Sequence, residues 1–207
     1  MASHDTPRHD RVSMALHWTI GIGILLLAGL ELFRGEFPKG HFIREGLKPI
    51  HMPFGVILFG LILARVVWRF TGAKAPATHD KGAGALAAKL VHLALYALML
   101  GLPLLGMIYV FGNDKAVDFG LFKLALPLKD MLGGIAKSSR WLHETLGIAI
   151  LVIAGVHAAA AIGHHYVLKD DTMRRMLPGR RTRNSTERPF GRPSGGPGGY
   201  GGMVAAE

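Results

Sequence analysis

The sequence predicts an all-α integral membrane protein, a bundle of four helices that cross a bilayer. Half of its 207 residues are hydrophobic and only 18% are charged, which disfavours a disordered chain. A hydrocarbon core of about 30 Å needs roughly 20 mainly apolar residues in a helix, and four segments meet this length. The polar stretches between them are too short for a further domain. The predicted spans are residues 15–33, 52–70, 86–111 and 142–168.

The first span keeps its place in the mature protein, because no small-residue cleavage site follows it as in a signal peptide. Residues 1–14 form a short segment before the four-helix domain, which we predict over residues 15–177. The tail over residues 178–207 is rich in Gly, Pro and Arg, and it cannot bury enough apolar surface to fold. An RNA-binding tail is an alternative, but membrane lipid is the favoured partner and no nucleic acid is expected.

The basic residues predict the orientation of the bundle. Of the 24 Lys and Arg residues, 15 lie on the side that holds both termini, and 9 lie in the first and third loops. Cytoplasmic segments of membrane proteins carry the excess of Lys and Arg. We therefore expect a multi-pass protein of the bacterial inner membrane with both termini in the cytoplasm.

Histidine is abundant in this chain, with 11 copies, and cysteine is absent. The lack of cysteine excludes thiolate-ligated metal centres and covalently attached c-type haem. Several histidines lie in or at the ends of the spans, where an ionisable side chain is costly and indicates a function. Hydrogen bonding to a neighbouring helix is the alternative for any one of them. These residues are His17, His51, His92, His143, His157, His164 and His165.

The spacing of the histidines predicts two pairs at different depths. His143 and His157 are 14 residues apart, so they project from nearly the same helix face about 21 Å apart along the axis. His17 begins the first span on the cytoplasmic side, and His51 begins the second on the outer side. Depth therefore pairs His17 with His157 and His51 with His143. Two bis-imidazole sites in a four-helix bundle are typical of two b-type haems, whereas zinc requires three or four ligands.

Four further residues lie near the haem predicted on the cytoplasmic side, between His17 and His157. Arg65 and Arg69, one turn apart at the cytoplasmic end of the second span, are candidates to pair with haem propionates, or else they are snorkelling topology charges. His92 and His164 lie at a similar depth without being ligands. They are candidates to hydrogen-bond the carbonyl groups of a quinone and to relay protons, with propionate hydrogen bonding as the alternative.

Several motifs occur in a consistent order between residues 11 and 178, and they resemble the bacterial cytochrome b561 family, membrane proteins with four helices and two haems. The resemblance implies haem b ligation by His17, His51, His143 and His157. It is closest to members that act as superoxide oxidases, which implies electron transfer from superoxide at the outer face to ubiquinone near His92 and His164. The motifs are R-V-S-M-A-L-H-W at 11–18, H-M-P-F-G at 51–55, R-V-V-W-R at 65–69, W-L-H-E-T-L at 141–146, G-V-H-A-A-A-A-I-G-H-H-Y at 155–166 and R-R-M-L-P at 174–178.

The charges of the outer loops agree with an anionic substrate. Residues 34–50 and residues 112–140 each carry a net charge of +2, and a basic funnel raises the encounter rate of a small anion. Arg44, Lys48 and Arg140 are nearest in sequence to the outer histidines. Ordinary solvated loop charge is the alternative.

Two other functions remain open from the sequence. One is an electron-transfer subunit that accepts electrons from a partner dehydrogenase or a small cytochrome. The other is a histidine-lined metal or proton transporter, which the absence of paired intramembrane carboxylates disfavours.

Overall fold

The computed structural model describes residues 9–73, 82–169, 173, 176 and 177, and within them four long helices dominate. Each helix is long and apolar enough to cross a membrane, so the predicted fold class is confirmed. The predicted tail over residues 178–207 lies outside the described residues. The helices are α1 (Arg11–Gly35), α2 (Phe42–Thr71), α3 (Ala83–Gly112) and α4 (Lys129–Tyr166).

The helices extend beyond the apolar spans, which corrects the predicted loops. The first loop shortens from residues 34–50 to residues 36–41, because α1 continues to Gly35 and α2 already begins at Phe42. The polar stretch over residues 112–140 contains the first three turns of α4. With 38 residues, α4 is about 57 Å long, which exceeds the roughly 30 Å of a hydrocarbon core. Hydropathy identifies only the part of a helix that crosses the lipid, whereas the backbone hydrogen bonds of the helix continue into the polar residues beside it.

A small antiparallel hairpin precedes α4, formed by β1 (Val117–Asp118) and β2 (Lys123–Leu124). Gly120 lies in its turn at φ +82°, a conformation that favours glycine. The backbone N–H of Gly120 donates to Asp118 Oδ1 at 2.8 Å, which lowers the pKa of this carboxyl group below its usual range. Val117 is 1% exposed, so the face of β1 that carries this side chain packs against the rest of the protein and holds the hairpin in place.

Polar contacts join α1 to α2 near the start of the chain. Asp10 caps α1, because its Oδ1 accepts the backbone N–H of Ser13 at 2.9 Å. The same oxygen accepts the indole N–H of Trp68 in α2 at 3.0 Å. Past the end of α4, the carbonyl of Met176 accepts the indole N–H of Trp18 at 2.8 Å.

These bonds fix the helix ends at one end of the bundle, which we call the terminal end. The opposite pole, with residues 36–41 and 113–128, is the loop end.

The bundle consists of two helix pairs. α1 packs mainly on α2, and α3 packs mainly on α4, while contacts between the two pairs are sparser. Ile20 in α1 and Ile62 in α2 are almost fully buried between their helices. Large apolar side chains are exposed along all four helices, as lipid-facing surfaces require. The two helix pairs therefore pack less closely against each other than the helices within each pair.

Gly112 permits the close approach of α3 and α4, and replacing it by alanine is expected to destabilise the protein. A Cβ at this position would lie 2.9 Å from the backbone oxygen of Leu132 and 3.0 Å from Cβ of Ala136. Because backbone atoms cannot rotate away, the helices must separate, at a cost of about 1–3 kcal/mol. Thermal unfolding in detergent measures the loss. Gly101→Ala on the same helix is the matched control, since its Cβ would meet nothing within 4 Å. Equal stability of the two variants would contradict the prediction.

Candidate functional site

Four of the predicted histidines face each other in two pairs that bridge the helix pairs. The ring centroids of His17 in α1 and His157 in α4 are 6.3 Å apart, with an interplanar angle of 74°. The ring centroids of His51 in α2 and His143 in α4 are 6.0 Å apart, at 78°. The first pair lies toward the terminal end and the second toward the loop end. The arrangement matches the partners expected from helix depth.

The centroid distances fit two imidazoles on opposite sides of one metal ion. A metal–imidazole bond is about 2 Å long, and the ring centre lies about 1 Å beyond the nitrogen, so two such rings have centres about 6 Å apart. In the part of the chain that the structure describes, no group of three or more His, Asp or Glu side chains is arranged to hold a metal ion. A pair of imidazoles would suit a haem, whose macrocycle supplies the other four ligands, whereas a zinc site uses three or four protein ligands.

His92 lies beside the terminal-end pair but at a different distance. Its ring centroid is 5.1 Å from that of His157, which is too short for two ligands on opposite sides of an iron atom. The Nδ1 of His92 is 2.7 Å from the carbonyl oxygen of Ala88. This bond assigns the proton to Nδ1 and leaves Nε2 as an acceptor or as the site of a second proton. His92 therefore lies next to His157, at a distance that does not suit a second ligand of the same metal ion.

The orientation of His143 depends on α3, a contact that the sequence analysis did not find. Its Nδ1 is 2.8 Å from the carbonyl oxygen of Leu102, so the ring donates from Nδ1, and Nε2 would be the nitrogen able to bind a metal ion. Gly106 makes room for the ring, since a Cβ there would lie 3.3 Å from two atoms of the imidazole. The glycine-rich composition of the spans was the only sequence signal for this approach, and it does not single out Gly106.

His51 has a charged neighbour that the sequence analysis did not identify. Its Nδ1 is 3.5 Å from Oε1 of Glu31 in α1. Glu31 also accepts two hydrogen bonds from Arg34, from Nε at 2.9 Å and from Nη2 at 2.5 Å. An acidic side chain within a membrane span is a functional signal by itself, and this rule would have singled out Glu31.

The two arginines of α2 differ in their surroundings. Arg65 donates from Nη1 to the carbonyl oxygen of Ser13 at 3.2 Å, and its guanidinium lies 6.0 Å from the ring centroid of Tyr96. Arg69 is exposed. His17 follows Ser13 by four residues on α1, so Arg65 lies on the same side of the bundle as His17. Arg69 faces outward.

His164 and His165 lie at the C-terminal end of α4. The side chain of His164 is exposed. The Nδ1 atom of His165 is buried and has no hydrogen-bond partner among the described residues. Helical spacing places His164 nearly on the face of His157, but the structure gives it a solvent- or lipid-accessible position at the terminal end.

The predicted basic residues of the loop end take different positions. Arg44 donates from Nη1 to the carbonyl oxygens of Arg34 at 3.2 Å and of Phe37 at 2.8 Å, so it holds the chain that follows α1. The side chain of Lys48 lies outside the described part of the structure. Arg140 is exposed, donates from Nε to Glu144 at 2.8 Å, and lies one turn before His143.

Arg140 belongs to a charged cluster around Tyr109 that the sequence analysis missed. The Tyr109 hydroxyl lies 3.2 Å from Lys115 Nζ and 3.5 Å from Arg140 Nη1. Both cations also lie over the phenol ring, at 4.9 and 5.4 Å from its centroid. The cluster joins α3 to α4 at the loop end near His143, and with Glu144 paired to Arg140 it carries a net charge of +1. No local pattern links residues 109, 115 and 140, so only the packing of the helices reveals it.

The chain is similar to known proteins over most of its length. Residues 8–179 match the model of the family described as prokaryotic cytochrome b561. "Cytochrome b561 homolog 1" of Escherichia coli (strain K12) is 30% identical over 84% of this chain and 99% of its own length. "Probable superoxide oxidase CybB" of Yersinia pestis is 24% identical over 84% of this chain and 98% of its own length. "Cytochrome b562" of Cereibacter sphaeroides is 30% identical over 83% of this chain and 96% of its own length.

Proposed function

The chain belongs to the prokaryotic cytochrome b561 family of membrane electron-transfer proteins, and from this premise we propose that it transfers electrons from superoxide to ubiquinone through two b-type haems. The observation that carries the proposal is the pair of facing imidazoles at each end of the bundle, with ring centroids 6.3 and 6.0 Å apart.

In this proposal His17 and His157 hold the haem of the terminal end, and His51 and His143 hold the haem of the loop end. A b-type haem bound by two imidazoles has no open coordination position, so it supplies one-electron transfer and does not bind oxygen. Arg65 approaches the terminal end from α2 and is suited to neutralise a propionate, and Arg69 lies one turn further along the same helix. The helix pairs contribute opposite imidazoles, so the haems lie in the sparse region between them.

The proposal places the terminal end in the cytoplasm and the loop end outside the inner membrane. This orientation follows from the distribution of Lys and Arg, because the larger share of these residues lies on the side of both termini. The loop end then faces the compartment in which the donor is encountered. The two histidine pairs, about 21 Å apart along the helix axis, then both lie within the hydrocarbon core of about 30 Å.

Superoxide is the proposed donor at the loop end. Lys115 and Arg140 lie around Tyr109 near His143, and even with Glu144 paired to Arg140 the cluster keeps a net positive charge, which attracts a small anion. The relative from Yersinia pestis is named a probable superoxide oxidase, which agrees with this choice. Each superoxide gives up one electron and becomes dioxygen. Arg44 contributes to the same basic surface while it holds the loop, and Lys48 is proposed as a further member from its position in the sequence.

Ubiquinone is the proposed acceptor at the terminal end. His92 lies beside His157 and bonds to the carbonyl oxygen of Ala88 through Nδ1, and His164 is exposed at the same end of α4 as His157. Two electrons and two protons convert one quinone into one quinol, so groups that carry protons from the cytoplasm are needed here. Imidazole side chains are suited to this because one ring nitrogen can accept a proton while the other donates one.

A second candidate function is an electron carrier that depends on a partner dehydrogenase or a small cytochrome. The hairpin and the first turns of α4 favour it, because they expose large apolar side chains at the loop end. Exposed apolar side chains clustered on a surface indicate a docking site. The most exposed are Leu121 at 98% and Met131 at 70%.

A spectroscopic experiment on the purified, haem-replete protein in detergent tests the proposed function. Enzymatically generated superoxide is expected to reduce low-spin b-type bands, and a soluble quinone is expected to reoxidise them. Superoxide dismutase should abolish the reduction, and higher ionic strength should slow it because salt screens the attraction of the anion. Bands that respond to dithionite but not to superoxide would instead support the partner-dependent carrier. Absence of haem bands would contradict both functions.

A further inference from the structure

The two ligands of the proposed loop-end haem differ in their hydrogen-bond surroundings. His143 faces a neutral acceptor, the carbonyl oxygen of Leu102 at 2.8 Å. His51 faces a charged group, since Oε1 of Glu31 is 3.5 Å from its Nδ1. Among the described residues, this Nδ1 is a buried atom without a hydrogen bond of its own. An imidazole that binds a metal through Nε2 carries its proton on Nδ1 and needs an acceptor there.

Arg34 fixes the carboxylate of Glu31. Its Nε and Nη2 both donate to Glu31 Oε2, at 2.9 and 2.5 Å, and Oε1 is left to face His51. The Arg34 side chain is 20% exposed, that of Glu31 33% and that of His51 26%. The charges are therefore only partly screened by solvent, and they act on the imidazole from one side.

We propose that Glu31 is a positioning residue for His51 and that the opposing charges of Glu31 and Arg34 set the reduction potential of the loop-end haem. The inference rests on the proposed function, because it takes His51 as a haem ligand. A carboxylate that faces the Nδ1–H group makes the imidazole a stronger electron donor, and its negative charge favours the ferric over the ferrous state. The guanidinium of Arg34 acts in the opposite direction. The pair makes the loop-end site asymmetric, with one charged and one neutral imidazole partner.

A competing acceptor is present one turn earlier on α1. The backbone carbonyl of Leu27 also lies within reach of the His51 imidazole. If that carbonyl were the acceptor, the Glu31 carboxylate would have no specific role and a neutral amide in its place would change little. A test by substitution separates the two cases, because it changes the side chain and leaves the backbone carbonyl in place.

Redox titration of the haem bands measures the effect in the purified holoprotein. Glu31→Gln keeps the shape of the side chain and removes its charge, and it is expected to favour the ferrous state by about tenfold, a rise of about 59 mV in the midpoint potential of the loop-end haem. Arg34→Gln is expected to lower the same potential. The terminal-end haem should keep its potential in both variants. Glu36→Gln, which removes a carboxylate from an exposed position at the end of α1, is the matched control and should change neither potential.

Opposite shifts in the two variants distinguish a role in tuning from a structural role, since loss of structure would change both variants in the same direction. Unchanged potentials in both variants, or shifts of equal sign, would overturn the inference. If Glu31→Gln failed to retain the loop-end haem, Arg34→Gln would decide: a lower potential supports the inference and an unchanged one overturns it. The low-spin electron paramagnetic resonance signal of that haem should also shift in Glu31→Gln and stay constant in Glu36→Gln.

The failure of this inference is separable from the failure of the proposed function. A wild-type protein without two titrating haems would contradict the function itself. Two titrating haems with potentials that do not respond to Glu31 and Arg34 would leave the function intact and contradict only the role of this pair.

Discussion

Replacing His143 by alanine is expected to remove the loop-end haem and to leave the terminal-end haem in place. His143 faces His51 at a centroid distance of 6.0 Å, and its loss would leave His51 as the one imidazole of this pair able to hold the haem. The two haem sites are separated by about 21 Å along α4, so the second pair should be unaffected. Haem content should fall by about half, with the remaining low-spin bands unchanged, and superoxide should no longer reduce the protein at its original rate.

A histidine elsewhere on the same helix provides the control for this prediction. His165 contacts Tyr166, with ring centroids 4.8 Å apart, and belongs to neither pair. His165→Ala should retain both haems. Loss of both haems in His143→Ala, or retention of both, would contradict the pairing of His143 with His51.

Replacing His157 by alanine is expected to separate the two halves of the reaction. The terminal-end haem should be lost because His17 then has no partner at 6.3 Å, while the loop-end pair remains complete. Superoxide should still reduce the remaining haem, but quinone should no longer reoxidise it, so steady-state turnover falls to background. Stopped-flow spectroscopy with superoxide, followed by addition of quinone, measures both steps.

His17→Ala should give the same result as His157→Ala, because the two rings form one site. His92→Ala should retain this haem, because the 5.1 Å distance of its ring from that of His157 does not suit a ligand of the same iron. Loss of the haem in His92→Ala together with its retention in His17→Ala would assign the ligands differently and contradict the proposed site.

The number of helices and the histidines on them follow from local properties of the chain. Hydropathy over about 20 residues identifies a span, and the helical period relates His143 to His157 without knowledge of any other helix. The ends of the helices do not follow in this way. α2 begins at Phe42, ten residues before the predicted span, and α4 begins at Lys129, thirteen residues before its span, because polar residues form helices outside the hydrocarbon as readily as apolar residues within it.

The partners of the histidines depend on how the helices rotate against each other. The sequence places His51 and His143 at one depth, but it does not show that Leu102 accepts from His143 or that Glu31 faces His51. Likewise, depth alone makes both His17 and His92 neighbours of His157, and only the distances of 6.3 and 5.1 Å separate a proposed ligand from a neighbour.

By itself, therefore, the sequence determined a four-helix membrane protein of this family with histidine pairs at two depths, since hydropathy, helical period and motif order are local or linear properties. The tertiary structure decided which ring nitrogens of His92 and His143 bond to backbone carbonyls, which charge lies beside His51, and which histidines of the two helix pairs face each other. These features depend on the rotation, tilt and separation of helices that are distant in sequence, and the pattern along any single helix does not specify them.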